Sequence, residues 1–321
     1  MNIYILGSGA MGMLFGGKLS KNNDVTCVCR RQEQVDELLS NGLNITEKDG
    51  RIEIYHLNAI CPSTLQNSSL TGNSARADLS QLPKADLSQL PKADLVLIFV
   101  KSCDTMTALE EIKDVIGPDT TLWTLQNGAG QEYVMREFTD DAHILIGKTM
   151  QGSVRESDSS IRHSGIGETY IAAGHPDVAS ILKEAGFSTT ESDNIAKIIW
   201  KKLLVNGSSS VLSGLLQVPQ GDVLKSESAW NIVTKLIREM CAVAAAEGCD
   251  FDVNEQIAAV KANLEGAMDA VTSLYVDLNK GRTTEVDYIN GYVVKKGAEL
   301  GIPVPTHEVI TDLVHVKEQM R

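Results

Sequence analysis

Asn2-Ile3-Tyr4-Ile5-Leu6-Gly7-Ser8-Gly9-Ala10-Met11-Gly12 opens the chain with a short apolar run that passes straight into a glycine-rich turn. Residues 2–6 read as a buried strand, residues 7–12 carry the spacing G-x-G-x-x-G, and residues 13–21 read as a helix. Each glycine answers a different steric demand. Gly7 makes the tight turn, Gly9 leaves bare backbone for a pyrophosphate, and Gly12 lets the helix pack on the strand. Free N–H groups at the helix start suit the diphosphate. Glycine-rich turns are common, so the spacing by itself is weak; the strand before it and the helix after it make it a dinucleotide turn. Gly7, Ser8, Gly9, Ala10, Met11 and Gly12 are the expected cofactor contacts.

The next strand, over 24–29, ends where an NAD enzyme places an acid to hold the ribose 2′-OH. Here Arg30-Arg31 stands instead. A guanidinium fork matches a phosphate, whereas a neutral diol is better served by a carboxylate. The expected cofactor is therefore NADPH, read by Arg30 with Arg31 in support; the competing reading is two surface arginines opening a solvated helix.

With 321 residues the chain fits two domains, and 43 % hydrophobic with 22 % charged residues is ordinary for a soluble globular protein. A formal net charge of −13 repels nucleic acid, so that class of partner is excluded, and the cations for an anionic cofactor must be gathered locally. No secretory signal is visible, and the longest apolar runs, such as residues 95–100, fall far short of the roughly 18 residues a membrane span needs. The six cysteines lack C-x-x-C or zinc-ligand spacing and read as small buried hydrophobes in a reducing cytoplasm. No metal is expected, since the six histidines are scattered.

Beyond Arg31 a helix is expected over 32–40 and a hairpin over 43–60 turning at Asp49-Gly50. Residues 62–92 are rich in Ser, Asn and Gly and contain a perfect tandem octapeptide, Ala77-Asp78-Leu79-Ser80-Gln81-Leu82-Pro83-Lys84 and again Ala85 to Lys92, read as a duplicated loop edge with no chemistry of its own. Strands are expected over 93–101, 120–126, 143–150 and 168–173, with helices over 105–115 and 131–137. This alternation predicts an α/β, Rossmann-type doubly wound sheet for residues 1–192, with the cofactor at the carboxyl ends of its strands. From 193 to 321 helix follows helix, over 195–216, 229–246, 254–279, 284–300 and 306–319, predicting an all-helical substrate domain.

Within the first of these helices Lys202, Asn206 and Ser210 recur every four residues on an otherwise apolar segment. A polar stripe on a buried helix must be satisfied, and a cleft holding a polar ligand is one answer. From this window alone a surface position for Lys202 beside Lys201 is slightly favoured. Glu285, after Thr283 and Thr284, reads by itself as a carboxylate compensating a helix start.

The glycine turn with Arg30 behind the second strand, Gln126-Asn127-Gly128, Trp200-Lys201-Lys202-Leu203-Leu204-Val205-Asn206 and Thr284-Glu285-Val286-Asp287-Tyr288-Ile289-Asn290-Gly291 together resemble the ketopantoate reductase (2-dehydropantoate 2-reductase) family over nearly the whole chain. The last two motifs are far more specific than the first. The resemblance implies NADPH-dependent reduction of the 2-keto group of ketopantoate to pantoate, on the way to pantothenate and coenzyme A. It implies Lys202 as the catalytic lysine and Glu285 as the active-site glutamate. Asn127, Asn206, Ser210, Gln220 and Ser273 become substrate contacts, and Arg30, Lys101, Asn127 and Ser153 cofactor contacts. Hydride arriving at C2 leaves alkoxide character on oxygen, so an ammonium on a rigid helix suits the site as proton donor and as charge stabiliser.

Two positions depart from the family pattern. Ser210 stands where many members carry a second asparagine, and Gln220 where an asparagine is frequent. Both put the substrate's side chain in doubt and leave the reaction type intact. The alternatives are a D-2-hydroxyacid dehydrogenase acting on another branched or aromatic 2-keto acid, which the double arginine weakens, and a non-catalytic NADPH-binding sensor, which Lys202 and Glu285 argue against. The expected partner is a small 2-keto acid, with room for a homodimer.

Overall fold

The computed structural model describes residues 1–62 and 87–320, which form two compact units: Met1–Gln126 with Gln131–Ile195, and Asn127–Gly130 with Ala196–Arg321. The first unit begins β1 (Asn2–Leu6), α1 (Ala10–Leu19), β2 (Asp24–Val28), α2 (Gln32–Asn41), β3 (Leu43–Thr46), β4 (Ile52–Tyr55), β5 (Asn58–Ile60). It continues with β6 (Leu95–Ile98), α3 (Thr105–Glu111), β7 (Thr121–Thr124), α4 (Gln131–Met135) and β8 (Ile144–Thr149). It closes with β9 (Gly152–Arg155), β10 (Ser160–Gly165), β11 (Thr169–Ala172), α5 (Pro176–Glu184) and β12 (Thr189–Ser192).

Among the described residues eight strands build the main sheet in the order β12-β11-β8-β7-β6-β1-β2-β5, parallel throughout except between β11 and β8. The strand order reverses at β1, flanked by β2 and β6, which makes its carboxyl end the switch point of the doubly wound sheet. Alternation along β1 divides the core. Ile3 and Ile5 pack with Met13, Leu14 and Phe15 of α1, while Tyr4 and Leu6 pack on the other face with Leu109, Ile112 and Val115.

A second sheet, of four strands among the described residues in the order β4-β3-β10-β9, is not anticipated by the sequence pattern. The expected hairpin does turn at Asp49-Gly50, but it ends at Tyr55, and β5 leaves it to pair with β2 in the main sheet. The small sheet reaches α1 through Gly17, where a Cβ would come within 2.8 Å of Ile45 and 3.0 Å of Leu43. Gly16 lies against Ile5 and Cys27 of the main sheet, so α1 is buried on two sides and shows no polar face.

The helical unit comprises α6 (Ile195–Val205), α7 (Val211–Leu216), α8 (Gln220–Lys225), α9 (Glu227–Ala246), α10 (Val253–Glu265), α11 (Ser273–Asn279), α12 (Val286–Leu300) and α13 (Pro305–Gln319). Two of its expected helices are broken. The helix over 195–216 is opened by a π-helical turn, Asn206–Ser210, and that over 254–279 is split between α10 and α11. The run Asn206-Gly207-Ser208-Ser209-Ser210 has poor helix propensity, and the hydroxyls of Ser208 and Ser209 donate to the carbonyls of Leu204 and Val205, competing with the regular ladder. Of the six cysteines five are buried, and Cys103 alone departs from the expected burial by being exposed. Burial pushes the Cys29 thiol up to about 11, so it stays protonated. No helix among the described residues is long and apolar enough to cross a membrane.

Candidate active site

Two glycines of the opening turn, Gly7 and Gly12, sit where a side chain would clash, and Gly9 sits where the backbone is open. Gly7 has φ +106°, and a Cβ there would strike Val100 N at 2.6 Å. At Gly12 a Cβ would lie 2.0 Å from the carbonyl of Gly7, so any side chain would drive α1 off the turn. Nothing lies within 4 Å of a Cβ built on Gly9, and no side chain caps the helix it begins. That is bare, donor-rich backbone of the kind a diphosphate requires. Leu6 accepts from both Phe99 N (2.8 Å) and Val100 N (3.1 Å), which locks the loop after β6 against the end of β1.

The side chains around this turn are partly committed already. Ser8 Oγ donates to Gln34 Oε1 at 2.9 Å, and Gln34 Nε2 returns a bond to the Ser8 carbonyl at 3.0 Å, so the hydroxyl faces α2. Arg31 is taken by Asp158, its Nη2 donating to both carboxylate oxygens at 2.5 and 2.6 Å, and Arg155 pairs with the same carboxylate. The Arg31 bond holds the Asp158 carboxyl below its ordinary range. Arg30 is exposed and pairs with Asp104. Lys101 precedes the 3-10 turn that carries Asp104 and is half-buried. Ser153 lies on β9, with its Oγ buried and without a hydrogen-bond partner among the described residues.

In the helical unit Lys202 is half-buried near the end of α6 while Lys201 is exposed. Asn206 and Ser210 begin and end the π-helical turn, both half-buried, so the turn alters their spacing from that of a regular helix. Glu285 stands directly before α12. The segment 127–130 docks onto the start of that helix: Ala129 N donates to the Tyr288 carbonyl at 2.9 Å, and Gly128, with φ +88°, would place a Cβ 2.4 Å from the same oxygen. Only glycine fits there, and the docking brings Asn127 Nδ2 to 3.4 Å from Glu285 Oε2.

α12 is tied in turn to the segment following Lys202. Asn290 Nδ2 donates to the Gly207 carbonyl at 2.9 Å and meets His307 Nδ1 at 3.0 Å, and His307 Nε2 reaches the Leu236 carbonyl at 3.1 Å. Burial pushes the His307 imidazole down to about 4, so it is neutral, with Nε2–H donating and Nδ1 accepting. Ser273 begins α11, whose cap Thr272 donates to the Ser210 carbonyl at 3.2 Å. Gln220 begins α8, its N–H bonded to the Ala270 carbonyl at 3.0 Å and its Oε1 buried without a partner among the described residues. The segment 268–273 therefore links Ser210, Gln220 and Ser273, and the contact of segment 127–130 with α12 links Asn127 to Glu285.

A glycine turn at the switch point of a doubly wound sheet, in a chain whose other unit is helical, is the architecture of a dinucleotide-binding enzyme. Residues 3–176 match the family described as Ketopantoate reductase PanE/ApbA and residues 194–318 its C-terminal counterpart, so the chain belongs to the ketopantoate reductase family and is an oxidoreductase. A 2-dehydropantoate 2-reductase of Streptococcus pyogenes is 32 % identical over 99 % of this chain and 98 % of its own length. Among solved structures, D-mandelate dehydrogenase in ternary complex with NADH and anilino(oxo)acetate is 29 % identical, with TM-score 0.82 over 100 % of this chain and 99 % of that one. A PanE/ApbA family ketopantoate reductase from Ralstonia eutropha is 27 % identical, with TM-score 0.83 and the same coverage.

Proposed function

We propose that the chain reduces 2-dehydropantoate to pantoate with NADPH. The carrying observation is the docking of Gly128 on Tyr288, which sets the Asn127 amide beside the Glu285 carboxylate, directly before a helix bound through Asn290 to the segment that follows Lys202. The Gly7–Gly12 turn would hold the diphosphate of a nicotinamide dinucleotide, whose chemistry when bound would be hydride donation to a keto carbon. Lys202 donates the proton to the nascent alkoxide and stabilises its charge, and Glu285 orients the ammonium or accepts from the product hydroxyl. Asn206, Ser210 and Ser273 offer donors to the substrate carboxylate, and the unpaired Gln220 oxygen accepts from a substrate hydroxyl. Arg30 gives NADPH its phosphate contact, and Lys101 and Ser153 lie in the same unit.

One observation favours a second reading, a D-2-hydroxyacid dehydrogenase acting on a bulkier keto acid: the 29 % identity to D-mandelate dehydrogenase spans the full chain. NADPH consumption measured against a panel of 2-keto acids separates the two. The highest kcat/KM is expected with 2-dehydropantoate; a clear preference for phenylglyoxylate selects the second reading, and no turnover of any keto acid removes both.

A further inference from the structure

Arg30 and Asp104 meet although they lie on different loops, one after β2 and one after β6, on either side of β1. Asp104 is rigidly mounted. Its N–H bonds the Lys101 carbonyl at 2.8 Å, closing the 3-10 turn, and the buried Thr105 that follows accepts from Gln126 Nε2 at 2.9 Å. The pair remains open to solvent, with side-chain exposures of 57 % for Arg30 and 37 % for Asp104. Arg31 is committed to the Asp158–Arg155 cluster, which leaves Arg30 as the arginine of this pair that can address a phosphate.

We propose that Asp104 is a coenzyme-discriminating residue that supplies from the loop after β6 the carboxylate missing from the end of β2. It accepts from the ribose 2′-OH of NADH, and it must be displaced from Arg30 by the 2′-phosphate of NADPH. The inference rests on the dinucleotide reading of the glycine turn. A phosphate on the Arg30 fork trades one anion for another and then faces the repulsion of the carboxylate it displaced. A neutral ribose leaves the pair intact and finds in Asp104 an acceptor of the kind NAD enzymes place at this rim. The two residues together read both coenzymes, and the preference set by Arg30 alone is blunted.

The test is direct binding of each reduced coenzyme to the full chain, followed by nicotinamide fluorescence without substrate. Wild type is expected to bind NADPH and NADH with Kd values within about tenfold of each other. Asp104→Asn, which keeps the size and removes the charge, is expected to tighten NADPH and weaken NADH, widening the ratio by about tenfold or more, with a shift that shrinks at high salt. Arg30→Gln should weaken NADPH and leave NADH nearly unchanged. Equal movement of both Kd values in Asp104→Asn, or movement of neither, overturns the proposal, as does a wild type that prefers NADPH by more than about a hundredfold. A chain that binds neither coenzyme refutes the dinucleotide reading itself, an outcome distinct from the others.

Discussion

Lys201 and Lys202 are neighbours in sequence and opposites in environment, the first exposed and the second half-buried, because successive helical residues point about 100° apart. If Lys202 donates the proton, Lys202→Ala should lower kcat by roughly 10²–10⁴-fold with NADPH affinity almost unchanged, while Lys201→Ala stays near wild type. Steady-state turnover together with coenzyme titration decides it; near-normal turnover by Lys202→Ala removes the proton-donor role, and equal damage at both positions means that the stripe is misread. Residues constrained by local geometry are legible in the sequence, since Gly7 and Gly12 answer to sterics within one turn. Asp104 is not, because its partner Arg30 lies 74 positions away and an acid on a loop carries no local signal. Arg31 looked like half of a phosphate site, and its commitment to Asp158, 127 positions away, was equally invisible.

Elements with a strong period could be read and those with a mixed one could not. β9 and β10 mix Ser153, Arg155, Arg162 and Ser164 with few apolar residues, so the second sheet left no clear alternation, and its support, Gly17 on α1, looks like an ordinary helix defect. The duplicated octapeptide needs a correction of the same kind. Residues 77–86 lie outside the described residues, but the end of the second copy is no bare loop edge. Leu87 is buried and Leu90 packs on the sheet, the Pro91 carbonyl accepts from Tyr4 Oη at 2.9 Å, and Lys92 Nζ donates to the Asp114 carbonyl at 2.7 Å. Because the copies are identical, deleting residues 85–92 leaves the same eight residues ahead of Ala93. That deletion should therefore cost only a few tenths of a kcal/mol, the change in loop-closure entropy, whereas Leu87→Ala in the full chain should cost about 2 kcal/mol for the lost burial. Urea unfolding of the two variants checks this; a deletion as damaging as Leu87→Ala would show that spacing as well as sequence holds the segment in place.

At the scale of the whole molecule the periodicity of the sequence changes near residue 193, and the structure divides the chain between Ile195 and Ala196 while assigning Asn127–Gly130 to the helical unit. That short exchange carries no signal of periodicity, since it depends on the fit of Gly128 against Tyr288. Burial of polar groups inside the helical unit also sets how the chain responds to acid. His307 is fully buried between the Asn290 amide and the Leu236 carbonyl, and Glu239 accepts from the backbone N–H groups of Thr306 and His307 beside it. Desolvation outweighs the bond to the Leu236 carbonyl and the attraction of Glu239, and lowers the imidazole from 6.5 to about 4. Between those two values the unfolded chain binds a proton that the folded chain does not, so stability is full above pH 6.5, falls as the pH drops towards 4, and loses about 3 kcal/mol at most through this group. Glu47, raised by burial but lowered more by its bonds to Lys18 and His163, and Asp158, held down by Arg31, titrate below their ordinary values and act in a lower window. A protonated His307 would no longer accept from Asn290, so acid should loosen the Asn290 hold on the Gly207 carbonyl before it melts the sheet. Melting temperature followed from pH 8 to pH 4.5 is therefore expected to fall for the wild type, and His307→Gln, less stable at neutral pH, should show a flatter slope across 6.5 to 4.5; an unchanged slope in the variant would assign the acid sensitivity to other groups.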